Sequence, residues 1–64
     1  MYTIEVDGMA CDGCEANVID ALSAVPGVES ADADHERGIA TADGDVDVDA
    51  LVAAIEEAGY GATA

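Results

Sequence analysis

The chain has no tryptophan, no phenylalanine and no lysine, and one arginine, Arg37, stands against fifteen acidic side chains for a formal net charge of −14. Each absence narrows the function. With almost no cationic side chains there is nothing to set against phosphate, so nucleic acid and anionic membrane surfaces are excluded as partners. No apolar run approaches the roughly 20 residues of a spanning helix, which predicts no insertion into a membrane. No secretory leader is recognisable either, so the expected location is cytoplasmic, with reduced thiols. Without large aromatics, and with alanine at many apolar positions, the core is light. Sixty-four residues leave room for one domain, 1–64, and a domain of that size buries only roughly 60% of its unfolded surface. A covalent staple would help. Yet the two cysteines, Cys11 and Cys14, are near neighbours, and a bridge between them closes a tiny loop that stabilises little.

Acidity with few aromatics can mark disorder. Against that, 52% of the residues are hydrophobic and they recur with regular periods. A solvent of concentrated salt accounts for both features. At ~1 M salt the Debye length is ~3 Å, so repulsion among surface carboxylates is largely screened. The absence of lysine, the abundance of aspartate and the alanine-filled core resemble the composition of proteins from halophilic archaea. The acidic surface is then a solvated face and not a specific site.

Apolar periodicity divides the chain into six elements. Tyr2, Ile4 and Val6 alternate with Thr3 and Glu5, the pattern of a half-buried strand over 2–6. Asp7 and Gly8 break it. Over 12–24, Cys14, Val18, Ala21, Leu22 and Val25 recur at spacings of three and four, on one face of a helix, which Pro26-Gly27 stops. Ile19 falls beside that stripe, either as an ordinary exposed apolar residue or as part of a docking patch. Val28, Ala31, Ala33 and His35 alternate with Asp32, Asp34 and Glu36 as a second strand. Arg37-Gly38 turns into a third strand, 39–42, whose facing is ambiguous. Asp47 is placed to cap a second helix, with Val46 and Leu51 as a hydrophobic staple. Leu51, Val52, Ile55 and Ala58 form its apolar stripe, Gly59 ends it, and 60–64 adds a short last strand. This order is the split βαβ unit: an α+β, ferredoxin-like βαββαβ sandwich with both helices on one face of a four-stranded antiparallel sheet.

The chemistry is concentrated in 8–14, GMACDGC. A pair of cysteines two residues apart is a staple, a redox dithiol or a pair of metal ligands. The predicted fold puts Cys11 in the loop after the first strand and Cys14 in the first helical turn, where backbone amides and the helix dipole favour a thiolate. Asp7, Asp12 and Glu15 oppose that charge. No nucleophile–base pair, phosphate loop or carboxylate dyad is present, so no enzyme activity is expected.

The run Gly8-Met9-Ala10-Cys11-Asp12-Gly13-Cys14 resembles the Gly-Met-x-Cys-x-x-Cys motif of the heavy-metal-associated domain family, of the small copper-chaperone type. The resemblance extends along the whole chain, through PGV at 26–28 and AGY at 58–60. It implies a single Cu(I) held near-linearly by Cys11 and Cys14, soft ligands suited to that ion. It also implies delivery to the metal-binding domain of a copper-transporting P-type ATPase by a chain that is monomeric without metal. A dimer sharing copper through four cysteines stays open. Ala10 departs from the family, which often has Thr there. Zinc-tuned relatives tend to carry Asp at that position, so its absence favours Cu(I), although Asp12 offers oxygen to a harder ion. Rival readings are a carrier or buffer of zinc or another soft metal, and a small thiol–disulfide oxidoreductase. Met9 is expected as a core plug anchoring the loop, His35 as a surface or sheet-edge residue, and Tyr60 as a core residue or a neighbour of the metal loop.

Overall fold

The computed structural model describes residues 1–9 and 12–64, and of Asp12 the backbone alone. Six elements follow in the expected order: β1 (Tyr2–Asp7), α1 (Asp12–Ser23), β2 (Val28–Asp34), β3 (Ile39–Gly44), α2 (Val48–Glu57) and β4 (Gly61–Thr63). The strands form one antiparallel sheet in the order β2-β3-β1-β4, and both helices pack on one face of it. This is the ferredoxin-like sandwich that the sequence predicts.

Register settles which way β3 faces. Ile4 lies opposite Ala40 and Tyr2 opposite Ala42, and directly opposed residues share a face of the sheet. Ile4 is fully buried, so Ala40 and Ala42 turn inward with it, leaving Ile39 and Thr41 half-buried on the outer side. The two small side chains leave room over the sheet for the larger residues of the helices. Val18 and Leu22 of α1 and Leu51 and Ile55 of α2 are completely buried there. Each such side chain contributes roughly 1.5–3 kcal/mol by its removal from water. In β2 the inward positions Val28 and Ala31 are three apart and so break a period of two. A register shift between Val28 and Ser30 explains this, because a bulge resets which residues face inward.

Several expectations are corrected. Asp47 occupies the N-cap position of α2 in extended conformation, but its side chain makes no capping hydrogen bond. Val46 is half-buried against the core that holds Leu51, consistent with the staple. Ala58 is exposed and not part of the stripe, whereas Val48 joins the core edge. His35 lies just beyond β2, in the turn 35–38. Ile19 is half-buried rather than exposed. It follows Glu15 by four residues, so the two share one side of α1. Among the described residues, no helix is long and apolar enough to cross a membrane.

Candidate metal site

One end of the sandwich collects the residues of interest. β1 runs toward it and ends at Asp7, opposite Gly61 at the start of β4. The turn 35–38 lies at the same end, because the Val6 amide donates to the Gly38 carbonyl at 2.8 Å. Gly8 bends the chain with φ +101°, and a Cβ there would sit 3.4 Å from the Tyr60 ring. A side chain at that position would be strained by the backbone and would lie in contact with the aromatic ring. Met9 then drops into the core, 8% exposed, as the plug expected of it.

α1 begins at Asp12 and carries Cys14 in its first turn. Cys14 is half-buried and packs against the core cluster. Cys11, the other predicted ligand, lies outside the described residues, as does Ala10. The first-turn position sets Cys14 at the positive dipole end of the helix, the setting that stabilises a thiolate. A half-buried thiol at a helix start suits a soft ion of low coordination number. Among the described residues no three His, Cys, Asp or Glu side chains gather into a ligand set.

Two side chains near Cys14 make contacts across the fold. The Asn17 amide donates to the Tyr60 hydroxyl at 3.3 Å, so Tyr60 is both half-buried against the core and a neighbour of the thiol-bearing turn. Glu15 reaches the turn after β2: its Oε2 accepts the His35 backbone N–H at 2.7 Å and lies 2.6 Å from the His35 Nδ1. The His35 backbone N–H, and next the imidazole, hold the Glu15 carboxyl below its ordinary value. Thus His35, expected as a surface or sheet-edge residue, is tied to the residue that follows Cys14. The partial signal for this was its inward phase in the alternation of β2, which points it toward the helices.

The family model described as the heavy-metal-associated domain matches residues 3–61. The chain belongs to that family. Among curated proteins it is 46% identical to a mercuric reductase of Shigella flexneri over 98% of this chain and 12% of the reductase. It is 44% identical to a copper-transporting ATPase 2 of Rhizobium meliloti, over 86% of this chain and 7% of the ATPase. The chain therefore spans a small fraction of the curated relatives it matches. Among solved structures, a CopZ metallochaperone superposes with a TM-score of 0.92 at 35% identity, and 97% of each chain is covered. This heavy-metal-associated domain thus has the size and shape of a metallochaperone and sequence kin in larger proteins that handle copper and mercury.

Proposed function

We propose that the chain is a Cu(I) carrier in which Cys11 and Cys14 hold one ion and pass it to the metal-binding domain of a copper-transporting P-type ATPase. The observation that carries the reading is the placement of Cys14. Its thiol sits in the first turn of α1 and is half-buried, so helix amides favour its thiolate while its exposed side admits an incoming sulfur. Cu(I) suits two thiolates. A partner's cysteine attacks the open side of the ion, and the metal moves by ligand exchange without release to water. The protein acts in the cytoplasm, as a monomer when metal-free, and catalyses no reaction. Likeness over 97% of a CopZ metallochaperone supports a carrier, and likeness to a copper ATPase supports a partner built on the same domain.

A second reading is favoured by the mercuric reductase relative: the same two thiolates carry Hg(II), another soft ion that accepts two sulfurs. Competition titration of the reduced protein with Cu(I), Hg(II) and Zn(II) decides between them. The expected result is one Cu(I) per chain, weak zinc binding, and loss of tight Cu(I) binding in Cys14→Ser and Cys11→Ser with the fold retained. Hg(II) held with Cu(I) readily lost to the competitor favours the mercury reading. Disulfide reductase turnover without tight metal binding favours a dithiol.

A further inference from the structure

Glu15 directly follows a proposed ligand, and its negative charge there works against a thiolate. Its surroundings offset this. Oε2 accepts the His35 backbone N–H at 2.7 Å and meets the ring Nδ1 at 2.6 Å. An ionised carboxylate only accepts, so Nδ1 carries the hydrogen, and bonds of this length to a charged acceptor belong to the strong class. The turn that bears His35 is itself anchored. Asp34 Oδ1 accepts the amides of Glu36 and Arg37 at 3.0 and 3.3 Å, and Gly38 accepts from Val6 of β1 at 2.8 Å. Hydrogen bonds thus tie the turn 35–38 to the central sheet at Gly38 and to the residue beside Cys14 at His35. The first helical turn has few intrahelical bonds of its own and is prone to fray. Among the described side chains of α1, the first that is completely buried, Val18, comes a full turn after Cys14.

We propose that Glu15 is the positioning residue of the thiol-bearing turn: clamped by His35, it fixes the start of α1 to the sheet so that Cys14 is presented in place for a soft metal ion. The inference rests on the metal-carrier reading. The backbone N–H is the part of the clamp that side-chain changes at residue 35 leave intact, so the variants are graded. Glu15→Ala removes both bonds. Glu15→Gln keeps an acceptor for the His35 amide but loses the charge. His35→Ala keeps the amide and loses the ring.

The experiment measures Cu(I) retention against a chromogenic Cu(I) chelator for the parent and the three variants. In parallel it measures hydrogen exchange of the Ala16 and Asn17 amides, which follow Glu15 in α1, in the metal-free proteins. Glu15→Ala is expected to retain Cu(I) roughly 10- to 100-fold less well, the usual effect of removing a group that orients a metal ligand, and to exchange faster at both amides. Glu15→Gln and His35→Ala are expected to fall between it and the parent. Parent-like exchange at Ala16 and Asn17 in Glu15→Ala overturns the proposal, as does parent-like Cu(I) retention by that variant. A melting temperature lowered with retention unchanged makes the pair an ordinary surface bridge, which also overturns it. Failure of the parent itself to hold Cu(I) removes the carrier reading, while the exchange of the metal-free proteins still decides the clamp.

Discussion

The Glu15 carboxyl is held below its ordinary value of 4.5, first by the His35 backbone N–H and then by the imidazole. The sign of its effect on stability follows by linkage. A carboxyl whose folded pKa is depressed stabilises the fold fully above its unfolded pKa, and that contribution is lost as pH falls through the folded pKa. The metal-free parent is therefore expected to be more stable than Glu15→Gln above about pH 5, with the advantage shrinking as pH drops below 4.5. Paired urea titrations across that range check this. Pairing is essential, because acid also relieves repulsion among the other carboxylates in both proteins. An advantage that stays constant down to pH values well under 4.5 would remove the ionised Glu15 as its source.

Among the elements, α2 ends in a hydrogen-bonded stop that its sequence spells out. The Gly59 amide bonds to the Glu56 carbonyl at 3.0 Å and the Tyr60 amide to the Ile55 carbonyl at 3.3 Å. With Gly59 at φ +99°, these are the paired bonds of a Schellman stop. The stop directs the chain from α2 into β4 and places Tyr60 beside Gly8. No atom lies within 4 Å of a Cβ built at Gly59, so a substitution there tests the backbone alone. Gly59→Ala is expected to destabilise the domain by about 1–2 kcal/mol, a fall of about 5–15 °C in melting temperature for a domain of this size. Thermal melts in molar salt measure it, and an unchanged midpoint would show that the stop relaxes to another conformation at little cost.

At the scale of the whole molecule, charge dominates. A net −14 is carried by 64 residues, no charged side chain is buried among the described residues, and the core has four completely buried side chains larger than valine, Ile4, Leu22, Leu51 and Ile55. Self-repulsion is therefore set against a small apolar store. At ~1 M salt the screening length of ~3 Å confines that repulsion to near neighbours, whereas at ~0.01 M it reaches ~30 Å, farther than the molecule is long. The extents of the molecule are 28 × 17 × 17 Å. Helical circular dichroism is expected to weaken, or the melting midpoint to fall sharply, between molar and millimolar salt. A midpoint that does not move would sink the expectation of a protein adapted to concentrated salt.

The sequence by itself determined the six elements, because apolar periods of two and 3.6 are local properties that each segment carries alone. It determined the helix-start setting of Cys14 for the same reason, since Asp7-Gly8 breaks a strand and a helical stripe begins at Cys14. Glycine at 59 likewise announced the end of α2 without help from the rest of the chain. Tertiary structure alone decided the facing of β3, where Ile39 and Thr41 compete with Ala40 and Ala42 until pairing with Ile4 assigns the inner face. It alone exposed Ala58, which the helical stripe places inward but the packing of α2 leaves in water. It alone joined Asn17 to Tyr60 across 43 residues and Glu15 to His35 across 20. Contacts of that kind have no period to read. They depend on how two elements are docked, and docking is fixed only when the whole core closes around Val18, Leu22, Leu51 and Ile55.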